Sequence, residues 1–272
     1  MEAKLQRRIQ RYGWDKAVDD YEPHWKCQLE PAQTRLLDLA DIQPAEWVLD
    51  VACGTGLVSC RAASRVGTDG VVVGTDIAEN MVERAYQAAR QEGFPQAIFS
   101  RMDAEALQLS ADTFDVVLCA LGLMYVPSPV RALQEMHRVL KPGGRVVVAV
   151  WGQRAHCGWA DIFPIVEARV RSEVCPLFFQ LGTHNMLAQT LQSAGFQDVQ
   201  DDRLSTILHY DTPESACGAA FAGGPVALAY SRFDDGLRTE AHAAYLDAIE
   251  PYRTAWGYDI PGEFVIARGR KE

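Results

Sequence analysis

Three scarcities bound what this sequence can be. No apolar run approaches the roughly 20 residues that span a bilayer, and the first residues contain no apolar signal-peptide core. A cytoplasmic protein with no membrane partner is the expectation. Positive charge is short: 26 Lys and Arg stand against 36 Asp and Glu, a formal net charge of −10. A surface that neutralises phosphates needs the opposite balance, so no nucleic-acid partner is expected. The one basic run, Lys4 to Arg11, reads as the solvated face of a helix. Paired cysteines are missing too. Seven lie at 27, 53, 60, 119, 157, 175 and 217 with no C-x-x-C pair, and an odd set in a chain without a secretion signal predicts reduced thiols. His156, Cys157 and His184 lack the paired spacing of structural zinc, so no metal is expected.

What is present suits a soluble enzyme. With 272 residues, 48% hydrophobic and 23% charged, the chain is long enough for one large α/β domain or for a domain with a cap. Apolar runs predict strands at 47–51, 71–75, 97–100, 114–119 and 145–151, and the segments between them predict helices near 31–41, 56–66, 79–92 and 129–140. Such alternation implies a parallel sheet with helices on both faces. Asn185 to Ala194 reads as a further crossover helix, 198–210 as strand, and Gly262 to Arg268 as a last strand.

The most informative stretch is Val48 to Ser59. A buried strand runs into Gly54-Thr55-Gly56 and then into small and apolar helix residues, a geometry that brings a nucleotide-like ligand close to the backbone. A lone G-x-G also fits an ordinary strand-to-helix turn. Three details narrow it. Ser59 stands where a dinucleotide fingerprint has its third glycine; Asp50 lies four residues before Gly54; and Asp76 ends the next apolar run, where it can accept from both hydroxyls of a ribose.

The run Asp50-Val51-Ala52-Cys53-Gly54-Thr55-Gly56, followed by Gly74-Thr75-Asp76-Ile77, Phe99 to Glu105, and Phe114 to Cys119 with its helix up to Gly144, resembles the class I S-adenosylmethionine-dependent methyltransferases. It is most similar to the branch that includes ubiquinone and menaquinone biosynthesis methyltransferases. The resemblance implies a doubly wound, mostly parallel, seven-stranded Rossmann-like α/β sheet with its last strand antiparallel and insertions forming a cap. It divides the chain into an N-terminal lid segment (1–30), a cofactor-binding core (31–151), a cap insertion (152–184), a core continuation (185–211), a second cap insertion (212–258) and a final core strand (259–272). It implies S-adenosylmethionine as cofactor, with Asp50, Gly54 and Gly56 on the methionine side, Asp76 on the ribose, Ile77 and Met81 around the adenine, and Asp103 with the Ala104 amide at its amino edge. Ala120 and Leu121 would close the methionine side, and Ala52 and Met102 complete the contacts. Plain core packing also accounts for Met81 and Met102, and capping for Asp76 and Asp103.

A sulfonium methyl is already activated, so positioning is the protein's main task and no universal catalytic residue is implied. His156, His184 and Tyr125 are the candidates for a proton acceptor. Tyr21 and Trp25 are expected as lid residues, and Tyr125, Trp151, Trp159, Cys175 and Phe178, with Tyr12 and Trp14, as candidates to line a pocket for a small-molecule acceptor. The segment Cys119 to Tyr125 lacks the Asn/Asp-Pro-Pro-aromatic loop of enzymes that methylate base amines, and no Asp-Asp-Asn cluster supports a metal-dependent catechol type. Alternatives are S-methylation of a small thiol or sulfide, arsenite methylation through Cys60, Cys175 and Cys217, a nicotinamide-dependent oxidoreductase, and a non-catalytic cofactor-binding protein.

Overall fold

Buried runs of Val, Leu and Ile make the sheet. A computed structural model of the chain describes residues 2–170 and 178–272. Its parallel part comprises β1 (Trp47–Val51), β2 (Val71–Asp76), β3 (Ala97–Arg101), β4 (Phe114–Ala120) and β5 (Leu140–Trp151). After them come β6 (Gln197–Tyr210), the two-residue β7 (Arg253–Thr254) and β8 (Gly257–Arg270). β8 runs antiparallel to both β5 and β6, giving the order β3-β2-β1-β4-β5-β8-β6, with β7 folded back on β8. The expected seven strands, the last one reversed, are observed, and the two-residue β7 adds an eighth. Val48, Leu49, Val116, Val117 and Leu118 are fully buried because helices cover both faces.

The helices are α1 (Ala3–Ala40), α2 (Leu57–Val66), α3 (Glu79–Gln91), α4 (Pro129–Val139), α5 (Ile162–Glu167), α6 (Met186–Ser193), α7 (Pro213–Cys217), α8 (Ala227–Tyr230) and α9 (Asp235–Ile249). α1 holds both the N-terminal segment of 1–30 and the helix expected at 31–41. Pro23 and Pro31 lie inside it, where each removes one backbone donor. Trp25, Leu29, Leu36 and Leu37 hold it in place by burial in the core.

One strand begins earlier than its apolar pattern suggests. Lys141-Pro142-Gly143-Gly144 reads as a turn, yet β5 starts at Leu140, with a register shift opposite Phe114 and Val116. Such an irregularity is where a strand tolerates Pro and Gly. Between β1 and β4 the strand order reverses, and ligands in open α/β sheets bind at the carboxyl ends beside that reversal.

Candidate active site

β1 feeds directly into the glycine turn. Ala52, Gly54 and Gly56 have φ values of 57°, 54° and 89°, the left-handed region that a Cβ disfavours. The Cys53 amide donates to the Thr75 carbonyl at 2.9 Å and the Gly54 amide to Asp76 Oδ2 at 3.0 Å. These bonds tie the ends of β1 and β2 together. Ser59, in place of a third glycine, donates its hydroxyl to Asp50 Oδ2 at 2.6 Å, so that residue steers a carboxylate. Across the site, Leu121 has a φ of 63°. Gly122 approaches so closely that a Cβ on it would lie 2.3 Å from the Ala52 Cβ. Strained backbone on both sides of one cleft is held by the packing around it.

Two carboxylates face this region, and both are buried. Burial pushes Asp50 up to about 7, opposed by the Ser59 hydrogen bond and assisted by the charge of Asp76. Burial also pushes Asp76 up to about 6, opposed by the amides of Ala78, Gly54 and Ile77. Asp50 Oδ1 and the Thr55 hydroxyl are buried with no hydrogen-bond partner among the described residues. Both residues line a small hollow with Gln33, Cys53 and Leu57. An orphaned acceptor beside an orphaned hydroxyl fits the ammonium and carboxylate of an amino acid.

The hollow shares Tyr21, Ala52, Gly54 and Ala120 with a larger cleft enclosing about 760 Å³ of empty space, part of it open to solvent. Of the expected cofactor residues, Ala52, Gly54, Asp76, Ile77, Met81, Met102, Asp103, Ala104, Ala120 and Leu121 line the cleft. Asp50 lies in the hollow beside it. Gly56 lies outside both, at the start of α2, where a Cβ would be 3.0 Å from the Ala85 Cβ.

α1 roofs the cleft with Arg7, Gln10, Trp14 and Tyr21. Arg7 and Gln10 were not anticipated from sequence; the spacing 7-10-14-21, which puts all four on one helix face, is the signal that could have found them. The roof is fastened at several points. Arg7 Nε lies 2.9 Å from Asp103 Oδ2 and its Nη2 2.6 Å from Glu105 Oε2. Gln6 donates to the Tyr125 carbonyl at 3.1 Å, and the Asn80 amide donates to Asp15 at 2.9 Å. Burial and the charge of Asp76 push the Tyr21 phenol well above its ordinary range, so it stays neutral.

Trp14, Tyr21, Leu121 and Tyr125 also line a second cavity, about 330 Å³ of empty space that is partly open to solvent, walled by Trp25, Leu29, Met124, Trp151, Trp159 and Phe178. No Asp, Glu, Lys, Arg or His among the described residues lines it. Edge-to-face contacts fix its aromatic walls, with ring centroids 4.8 Å apart for Trp151 and Trp159 and 5.4 Å apart for Tyr125 and Phe178. Five expected lid and acceptor residues besides Tyr21 thus come together: Trp25, Tyr125, Trp151, Trp159 and Phe178.

Other candidates fall elsewhere. His156 bonds Glu263 at 2.8 Å with its side chain 54% exposed, because the segment after β5 turns onto β8. His184 has a φ of 49° and its carbonyl accepts from Arg203; neither histidine lines the cleft or the aromatic cavity. Tyr12 is exposed. Cys175 lies outside the described residues. Cys60 and Cys217 line separate hollows, so the described thiols do not converge on the aromatic cavity.

Comparison with known proteins agrees with this geometry. A family profile described as "Methyltransferase domain" matches residues 42–178. Nocamycin O-methyltransferase of Saccharothrix syringae is 30% identical over 256 residues, 89% of this chain and 85% of its own length. The ubiquinone/menaquinone biosynthesis C-methyltransferase of Methylococcus capsulatus is 38% identical over 113 residues, 41% of this chain. That match spans only 46% of the relative's length. Among solved structures, phosphoethanolamine N-methyltransferase 2 of Haemonchus contortus, in complex with phosphomonomethylethanolamine and S-adenosylhomocysteine, aligns with a TM-score of 0.62 at 16% identity. The alignment covers 95% of this chain and 58% of that one, a likeness of fold. With the profile, the long match to a named relative and the glycine turn in agreement, this chain belongs to the S-adenosylmethionine-dependent methyltransferase family.

Proposed function

We propose that the chain transfers a methyl group from S-adenosylmethionine to a small, uncharged, ring-sized acceptor held in the aromatic cavity. The observation that carries this reading is Tyr21, which lines the cleft, the carboxylate hollow and the aromatic cavity alike. The three spaces meet there, as a cofactor with two arms and one reacting centre requires. When bound, S-adenosylmethionine supplies an electrophilic methyl on sulfur and leaves as S-adenosylhomocysteine.

In this reading Asp50, Thr55 and Gln33 hold the amino-acid end. Asp76 binds the ribose hydroxyls through lone pairs left by its two well-aligned amide donors, Gly54 and Ala78. Ile77 and Met81 flank the adenine, and Asp103 with the Ala104 amide meets its amino edge. Leu121 and Ala120 border the reacting carbon, while α1 excludes water. Relatives named for O- and C-methyl transfer support an oxygen or carbon nucleophile. With no histidine among the described residues that line the cavity, an enol or acidic phenol needs the least help from a side-chain base.

The test is product analysis after incubation with S-adenosylmethionine and a panel of quinols, enolic ketones, phenols, amines, thiols and arsenite. Methylated uncharged ring compounds are the expected products. Turnover of thiols or arsenite alone would contradict the reading, and S-adenosylhomocysteine binding without turnover of any acceptor would support a binding protein instead.

A further inference from the structure

We infer that the acceptor carries an oxygen that accepts a hydrogen bond from the indole N–H of Trp159, an inference that rests on the methyltransferase reading above. Trp159 is 2% exposed and lines the aromatic cavity, and its Nε1 is buried with no partner among the described residues. Buried donors without an acceptor are rare in folded proteins. Trp25, in the same cavity wall, shows the ordinary arrangement: its Nε1 donates to the Ala219 carbonyl at 3.1 Å.

Trp159 is braced rather than loose. Trp25, Trp151 and Phe178 pack on its ring at centroid distances of 5.9, 4.8 and 5.5 Å. The backbone just before it is pinned to β8 by the Gly158 amide, which donates to the Pro261 carbonyl at 2.9 Å. A Cβ on Gly158 would lie 2.6 Å from the Tyr252 ring, so that segment has no room to shift. Indole nitrogen donates and never accepts, so a ligand atom that meets it must be an acceptor. Since no charged side chain among the described residues lines the cavity, a neutral carbonyl, ether or hydroxyl oxygen on a ring is the matching chemistry.

The experiment uses the full chain with ¹⁵N-labelled tryptophan, saturated with S-adenosylhomocysteine and titrated with 1-tetralone or with tetralin. The two probes share a bicyclic frame and differ by one carbonyl oxygen. The indole N–H shifts read the binding. In the wild type 1-tetralone is expected to bind at least about 5-fold tighter than tetralin, with one buried indole resonance moving downfield for the ketone alone. In Trp159→Phe that preference disappears, S-adenosylhomocysteine affinity serving as the control for folding. Equal binding of the two probes, or a preference that survives in Trp159→Phe, overturns the assignment, and so does failure of both probes to bind. Should Trp159→Phe not fold, the wild-type comparison alone decides the matter. Failure of S-adenosylhomocysteine itself to bind the wild type would instead overturn the methyltransferase reading.

Discussion

The Gly54 amide donates to Oδ2 of Asp76 at 3.0 Å, so the acid that ends β2 also shapes the glycine turn after β1. Asp76 is 7% exposed and lines the cleft. If Asp76 holds the ribose as proposed, its replacement removes that acceptor and loosens the turn together. Asp76→Ala is expected to weaken S-adenosylhomocysteine binding by about 1–3 kcal/mol, roughly 5- to 150-fold, in calorimetric titration. Unchanged affinity would remove Asp76 from the site.

With Asp50 on the cofactor's amino group as proposed, cofactor binding should depend on pH. Burial raises it to about 7, whereas an unfolded aspartate titrates near about 3.9. A raised carboxyl stabilises the fold fully below the unfolded value, and that contribution is lost as pH rises through the folded one. Asp76, raised by burial to about 6, acts with the same sign. The melting temperature of the unliganded protein should therefore lose this contribution between about pH 4 and pH 7, and Asp50→Asn should lose less. Ligand binding should show the opposite slope. An ammonium favours ionised Asp50, so S-adenosylhomocysteine affinity should rise from about pH 6 to pH 7.5 and then level. A flat profile in the wild type would contradict an ammonium at Asp50.

Arg7 fastens the roof to the cleft. It bridges Asp103 and Glu105, and the Glu105 side chain is 2% exposed. Arg7→Ala leaves that carboxylate without its cation while freeing the start of α1. The expectation is a loss of about 1 kcal/mol in stability, together with several-fold faster dissociation of S-adenosylhomocysteine in stopped flow. An unchanged off-rate would show that α1 does not hold the ligand in.

Gly122→Ala tests the close approach across the cleft. The added Cβ would meet the Ala52 Cβ at 2.3 Å, and overpacking of this kind costs about 1–3 kcal/mol. A lowered melting temperature is expected, with partial recovery in the double variant Gly122→Ala/Ala52→Gly. Equal melting of Gly122→Ala and wild type would contradict the contact.

The strands and the cofactor turn were legible because their signals are local. β1, β2 and β4 are apolar runs buried on both faces, and Asp50, Gly54 and Asp76 mark strand ends within a few residues. Arg7 was not legible: Lys4 to Arg11 reads as a solvated face, and its meeting with Asp103 depends on how α1 lies across the sheet. The orientation of His156 depends on Glu263, 107 residues away, and insertion chemistry alone does not reveal that. Continuity of α1 through Pro31 likewise comes from burial of Leu36 and Leu37 rather than from local preference. The aromatic cavity was half legible. Its rings were countable in the sequence, but which tryptophan N–H lacked a partner depended on tertiary contacts.

A crystal structure with S-adenosylhomocysteine bound tests the meeting of the three spaces at Tyr21 most directly. The adenine is expected between Ile77 and Met81, the amino group on Asp50, and the sulfur beside Leu121 and Tyr21, facing Trp159 across the aromatic cavity. A ligand whose sulfur faces away from that cavity, or whose adenine fills it, would contradict a shared reacting centre at Tyr21.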